Sequence, residues 1–186
     1  CGSDLHVTRG DGMDENSPER GPLAMGHEMT GVVHSMGSKV KTDSLKKPLR
    51  EGDRVIFPFF FPCMSCYNCI KGEFGACKFR SRVPYQDFKY CNSGYSQYFV
   101  LRSPHFIFHS PESLSDEALV SLNCALAQVV EAFNFGKINF GDNVVIQGAG
   151  ALGIYATAVA RNMGANEVIV IDGHESRLKL AEKCGA

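Results

Sequence analysis

Four of the chain's 8 cysteines, Cys63, Cys66, Cys69 and Cys77, fall within one short stretch. Thiolates at C-x-x-C-x-x-C spacing, with a fourth close behind, can surround a soft divalent ion. Zinc held by four sulfurs is the closed kind of site, with no position left for water, so this set fixes a loop and does no chemistry. The tight spacing also brings backbone N–H groups within reach of the sulfurs, which moderates their charge. An iron–sulfur cluster is the alternative, because thiolates serve both metals. Clustered cysteines can also form disulfides, but those frameworks belong to small secreted domains with weak cores. The long apolar-periodic segments here favour reduced thiolates on a metal, in a cytoplasmic protein.

A second chemistry lies in Gly148-Ala149-Gly150-Ala151-Leu152-Gly153, a G-x-G-x-x-G pattern. It follows the apolar run Val144-Val145-Ile146 and opens a helical pattern, inside a βαβ unit of about 30 residues. Gly148 permits the tight turn, Gly150 lets backbone approach a pyrophosphate, and Gly153 lets helix and strand pack closely. Ala151 and Leu152 lie in the glycine-rich turn that leads into the helix whose free N–H groups would face the phosphates. Asp172 ends the next apolar strand about 20 residues on, where a carboxylate accepts from the 2′-hydroxyl of NAD and repels the 2′-phosphate of NADP. Arg177 is a nearby cation that tolerates phosphate, so NADP stays the alternative to NAD.

Three metal-competent residues are scattered: Cys1 in Cys1-Gly2-Ser3-Asp4-Leu5-His6, His27 in Gly26-His27-Glu28, and Cys124 after Asn123. Singly, each reads as structural. Together, two cysteines and a histidine make a catalytic zinc set with its fourth position open.

Positioning these groups takes two kinds of architecture. The first two-thirds of the chain is rich in turn signals between short alternating runs, with strands expected at 29–33, 54–57 and 94–100. From Ser115 the pattern changes. A capping hydroxyl followed by Asp116 and Glu117 starts a helix running to about Phe135. Strands at 144–146 and 168–171 then alternate with helices at 154–163 and 175–183, which argues a parallel sheet. Cys91 and Cys184 are expected to be packing residues.

The chain has 186 residues, 44% hydrophobic and 21% charged, with net charge -1. That balance carries no nucleic-acid or anionic-membrane footprint. No apolar run is expected to approach the roughly 20 residues of a membrane helix. A zinc ribbon that binds nucleic acid is the non-enzyme alternative, but only Lys71 and Lys78 stand against Glu73 around the cysteines. The first residue is Cys1 rather than Met, and the chain stops just after a helical pattern, so a fragment is expected.

Cys-Gly-Ser-Asp-x-His, Gly-His-Glu-x-x-Gly-x-Val, the four-cysteine lobe and the glycine turn occur in the order of the zinc-dependent medium-chain alcohol dehydrogenases. The whole chain resembles that family. The resemblance implies a GroES-like β-barrel catalytic domain over residues 1–125, with its structural zinc lobe at 63–77. It implies the start of a Rossmann doubly wound parallel sheet, binding NAD, over 126–186. Residue by residue, Cys1, His27 and Cys124 resemble catalytic zinc ligands. Asp4 resembles the carboxylate that orients the ligand histidine, and Glu28 the acid near the metal that takes part in ligand exchange. Ser3 resembles the hydroxyl that receives the substrate proton, and His6 the end of its relay to solvent. Phe59 resembles a wall of the substrate pocket, and Gln128 stands where a threonine often packs near the nicotinamide. Gly2 departs from members with a basic residue there. The resemblance implies two zinc ions per subunit and reversible oxidation of a small alcohol to an aldehyde or ketone, in a homodimer or homotetramer. An NADP-linked carbonyl reductase or a polyol dehydrogenase of the same superfamily is the alternative, although Cys124 leans away from relatives whose third ligand is a carboxylate.

Overall fold

The structure, a computed structural model, describes residues 2–11, 25–79, 81–82 and 93–186. Cys1 and Cys91 lie outside them. The chain divides into two compact units, Cys1–Asn123 and Cys124–Ala186.

In the first unit, helix α1 (Gly2–Arg9) is followed by β1 (Thr30–Val32), β2 (Arg54–Ile56), β3 (Phe60–Phe61), a short helix α2 (Tyr67–Ile70), β4 (Ser81–Arg82), β5 (Phe108–His109) and α3 (Asp116–Leu119). β2 lies between β1 and β5 in an antiparallel sheet, with Gly31 opposite Val55 and Val55 opposite His109. β3 and β4 form a separate antiparallel pair. The sheet buries Met29, Val55 and Phe57 together with Leu49. Phe59, Phe99 and Ile107 pack against that cluster.

Two expectations need correction. Residues 94–97 form turns and bends and 98–100 irregular chain rather than a strand. The Ser96 hydroxyl has the carbonyls of Ser93 (2.5 Å) and Tyr98 (2.9 Å) within reach of its single O–H, and such local bonding competes with ladder pairing. Gly94 and Tyr95 instead donate their N–H groups to Gly26 and Met25. The other correction concerns the apolar run. Asp116–Gly136 is one helical stretch of 21 residues, long and apolar enough by length and composition to cross a membrane. Only Glu131 interrupts its apolar and neutral residues after Glu117. Its buried residues are Leu119, Cys124, Ala125, Val129 and Phe133, the pattern of a helix that contributes to a core.

That stretch is not a uniform α-helix. Residues Leu122–Leu126 form a π turn between α3 and α4 (Ala127–Gly136). The extra residue of a π turn lengthens the step from Leu119 to Cys124 to five positions, and four-residue steps resume from Ala125 through Val129 to Phe133. Ser115 caps the start, its hydroxyl accepting from the Ala118 N–H at 3.4 Å.

The second unit continues with β6 (Asn143–Gln147), α5 (Ala151–Asn162), β7 (Glu167–Ile171) and α6 (Glu175–Lys183). β6 and β7 pair in parallel, Val144 beside Val168 and Ile146 beside Val170. Val129, Phe133, Val144, Ala160, Ala165 and Val168 form its core. Along each strand alternate residues turn away from that core, leaving Val145, Ile169 and Ile171 exposed.

Candidate functional site

The four cysteines of the first unit converge. Their sulfurs all lie within 4.8 Å of one another. Cys63 and Cys69 are 3.9 Å apart at Sγ, and Cys66 and Cys77 3.8 Å. A tetrahedron with metal–sulfur bonds of about 2.3 Å has edges of about 3.8 Å, so the set fits a zinc ion. Backbone shapes the nest: the Cys66 N–H donates to Cys63 Sγ and the Cys63 N–H to Cys77 Sγ, each at 3.3 Å. Met64 reaches this geometry with φ of 59°, an uncommon conformation for a residue with a side chain. The Ser65 backbone and hydroxyl draw the Cys63 thiol down to about 6, whereas burial pushes Cys69 up to about 12. Among the described residues, this is the metal-competent cluster that the fold gathers.

A second constellation in the same unit surrounds His27. Gly26 precedes it with φ of +89°, and a Cβ there would lie 2.8 Å from the Tyr95 backbone nitrogen. Gly94 is similarly close to Gly26, so two glycines let the chains touch and set the histidine's direction. Asp4, buried on α1, accepts the Gly26 N–H at 3.0 Å through Oδ1. Its Oδ2 stands 3.3 Å from His27 Nδ1. The ring's other nitrogen, Nε2, is thereby the one a metal would take. Phe59 packs on the ring with centroids 5.1 Å apart. Asn123 Nδ2 donates to the carbonyls of His27 (3.0 Å) and Phe57 (3.1 Å). Asn123 was missed in the sequence, where the signal was a half-buried amide next to Cys124 in a largely apolar helical run.

The remaining expected residues fall as follows. Cys1 lies outside the described residues. Ser3 is exposed on α1, and Glu28 is half-buried beside His27. His6 is exposed, its Nδ1 2.8 Å from Asp11. In the second unit Cys124 is buried in the π turn, and Gln128, one turn on, donates its amide N–H to Cys124 Sγ at 3.1 Å.

The glycine turn also belongs to the second unit. Gly148 has φ of +98°, and its N–H donates to the Ile171 carbonyl at 2.7 Å. A Cβ on Gly153 would lie 1.9 Å from the Gly148 oxygen. Gly150, which caps α5, meets nothing within 4 Å where its side chain would be. Two glycines are thus demanded by the protein itself, and the third leaves open space over the first turn of a 12-residue helix. That space fits a pyrophosphate approached by backbone. Ala151 and Leu152 form the first turn, both exposed. Asp172 accepts the Ala149 N–H at 2.7 Å and the His174 N–H at 2.8 Å, which tie the end of β7 to the turn. These backbone donors, the Ala149 N–H foremost, hold its carboxyl down at about 2.

Comparison with known proteins bears on the whole chain. The family model of the alcohol dehydrogenase GroES-like domain matches residues 1–112. The L-threonine 3-dehydrogenase of Shewanella pealeana is 35% identical over 188 residues, which take in all of this chain and 50% of that protein. The 5-exo-hydroxycamphor dehydrogenase of Pseudomonas putida is 30% identical over 194 residues, again with 50% of its length covered. An alcohol dehydrogenase crystal structure from Thermotoga maritima superposes with a TM-score of 0.86 at 33% identity, over 100% of this chain and 51% of that one. The chain belongs to the alcohol dehydrogenase family with a GroES-like domain. It spans about half the length of the relatives it matches.

Proposed function

We propose that the whole protein is a zinc-dependent alcohol dehydrogenase that transfers hydride reversibly between a small alcohol and NAD+. The observation that carries this reading is the Asp4–His27 pair. A buried carboxylate 3.3 Å from Nδ1 of a histidine fixes ring and tautomer for a metal at Nε2. In this reading Cys1, His27 and Cys124 hold the catalytic ion, and Cys63, Cys66, Cys69 and Cys77 a second, structural one. Bound zinc with an open position supplies Lewis-acid polarisation of an alcohol or carbonyl oxygen.

The chain's own residues do the rest. Asp4 orients His27, and Asn123 anchors the His27 carbonyl. Ser3 accepts the substrate's hydroxyl proton, and His6 passes it to solvent, where Asp11 partners the ring. Glu28 serves ligand exchange, and Phe59 walls the substrate side of His27. Gln128 lies near the nicotinamide while holding the Cys124 sulfur, and its N–H moderates that donor's charge. Residues 126–186 open a Rossmann domain in which Gly148, Gly150, Ala151, Leu152 and Gly153 receive the pyrophosphate. Asp172 receives the ribose, with Arg177 beside it. The catalytic domain then covers residues 1–125. The protein is a homodimer or homotetramer acting in the cytoplasm.

The test is metal analysis of the freshly purified whole protein with an NADH absorbance screen over simple, aromatic and polyol substrates. Two zinc ions per subunit and reduction of NAD+ are expected. Cys124→Ala is expected to lose one zinc and nearly all turnover while the lobe keeps its ion. A wild-type protein with one zinc or none, or one that reduces no NAD+, overturns the reading.

A further inference from the structure

We propose that the hairpin of residues 41–49, in the first unit, docks this protein on an anionic lipid surface, with Leu45 entering the headgroup layer and the lysines around it meeting the lipid phosphates. The inference is separate from the dehydrogenase reading and needs neither zinc nor a dinucleotide.

The chain's net charge of -1 conceals an uneven distribution. Over residues 39–50, Lys39, Lys41, Lys46, Lys47 and Arg50 stand against Asp43 alone. All these cations are exposed, whereas Asp43 is buried. Its carboxylate is taken up inside the fold, by the His109 ring at 2.8 Å and by the N–H groups of Leu45 and Lys47, each at 2.9 Å. Among the described residues, no ion pair neutralises the cations. Backbone bonds fix the hairpin that carries them. The Asp43 N–H donates to the Lys47 carbonyl at 2.8 Å, and the Leu49 N–H to the Lys41 carbonyl at 3.0 Å. Ser44 ties the tip to the 107 strand end in both directions: its N–H donates to the Ile107 carbonyl at 2.8 Å, and its hydroxyl accepts the Ile107 N–H at 2.9 Å. Buried Leu49 anchors the returning arm.

Two features of the tip point to a ligand. Lys46 has φ of 67°, the left-handed region that glycine adopts freely and lysine rarely. A turn that needed only its shape would be served better by glycine, so the lysine keeps a cation at the tip against local preference. Beside it Leu45 is 64% exposed, and Val40 at the hairpin's base is 43% exposed. A lone exposed leucine is ordinary. Here it stands at the end of a fixed hairpin, with Lys46 and Lys47 after it and Lys39 and Lys41 on the opposite arm. A folded acidic partner would need a pocket matched to that leucine. The headgroup layer of an anionic bilayer yields to it. Leucine gains apolar contact at the acyl boundary, while the lysine stems lie along the surface and their ammonium groups stay with the phosphates.

The experiment is co-sedimentation of the whole protein with vesicles of phosphatidylcholine alone and of phosphatidylcholine mixed equally with phosphatidylglycerol. Binding to the mixed vesicles only is expected, and it should weaken as salt rises. Lys46→Gly is expected to weaken it by about fivefold, the scale of one cation at an anionic surface. The same variant should keep or raise Tm, because glycine relaxes the left-handed turn, so lost binding cannot be laid to lost structure. Leu45→Ser is expected to weaken binding by about tenfold while leaving its salt dependence in place. Wild-type protein that binds neither vesicle, or both equally, overturns the inference. So do Lys46→Gly and Leu45→Ser variants that bind as the wild type does. Soluble polyglutamate tests for an acidic protein partner instead: if it is bound as tightly as the mixed vesicles, and Leu45→Ser changes neither, the lipid assignment is overturned.

Discussion

The four-cysteine lobe and the glycine turn are both short motifs, but different forces hold them. The lobe has almost no apolar interior. Tyr67, Ile70 and Phe79 are largely exposed, and what is buried is Cys69 and Cys77. Its order comes from sulfurs around a common centre and a few N–H···S bonds. The glycine turn sits on β6, α5 and β7, whose Val144, Ala160 and Val168 are buried together. Its shape is enforced by backbone contact and apolar packing, with no ligand needed. The lobe is thus held by its sulfurs and backbone N–H groups, and the glycine turn by the packed elements beneath it.

Four experiments sharpen that contrast. The largest effect is expected from metal removal. A chelator, or Cys69→Ser, should unfold the lobe, since structural zinc contributes about 10 kcal/mol or more of folding free energy in small metal domains. Hydrogen exchange should show protection lost over residues 63–77 and kept over β6, α5 and β7. Equal loss in both regions would erase the distinction.

Next is Gly153→Ala. Alanine favours a helix over glycine by about 1 kcal/mol. Here the added carbon would lie 1.9 Å from the Gly148 oxygen, so the clash wins. A net destabilisation of about 3 kcal/mol is expected in denaturant titration of the whole protein. No metal supplement should rescue it.

A third device belongs to the first unit's sheet and was not anticipated. His109 on β5 places Nδ1 2.8 Å from Asp43 and Nε2 3.1 Å from Asp53. Asp43 is buried and also accepts the N–H groups of Leu45 and Lys47. A neutral imidazole has one N–H to give, so bonding both carboxylates needs the imidazolium. The side-chain bonds to Asp43 and Asp53 raise the His109 pKa. Burial alone would raise Asp43, but the His109 ring and backbone N–H groups outweigh it and hold the carboxyl at about 2. The signs follow. His109's contribution is full below its unfolded pKa near 6.5 and fades as pH rises through its raised folded value. Asp43's is full above 3.8 and fades as pH falls toward about 2. This clamp therefore stabilises most between about pH 4 and 6.5. His109→Ala is expected to cost about 2 kcal/mol at pH 6 and less at pH 9, measured by denaturant titration. A pH-independent cost would show that the ring only fills space.

The smallest effect on folding is expected from Gly150→Ala, whose new methyl meets open space. Stability should change by less than about 1 kcal/mol. Binding of ADP-ribose should weaken by about tenfold, equivalent to about 1.4 kcal/mol. Unchanged binding would mean that the open space is not where the pyrophosphate sits.

Much of this was legible in the residues. The cysteine spacing, the βαβ pattern with its three glycines and Asp172, and the Ser115 cap depend on neighbours within a few positions or one supersecondary unit. Local geometry constrains such features strongly, so the chain announces them. The strand expected over residues 94–100 failed because one hydroxyl, Ser96, offered the backbone nearer partners than a ladder would. The helix to about Phe135 was read from the residues, but the apolar length of 116–136 was underestimated because Ser121, Asn123, Gln128 and Glu131 break up the run while its mean hydropathy stays high.

What the sequence determined by itself, then, was the set of donors and the kind of element that carries each. Tertiary structure alone decided that Asn123 ties down the His27 and Phe57 carbonyls and that His109 joins two aspartates more than 50 residues distant, whereas the meeting of Asp4 with His27 from 23 positions away was already implied by the family resemblance. Contacts at such separation leave no periodic trace. They arise when packed apolar clusters bring strands and loops together, and only then does a polar group find the partner that repays its burial.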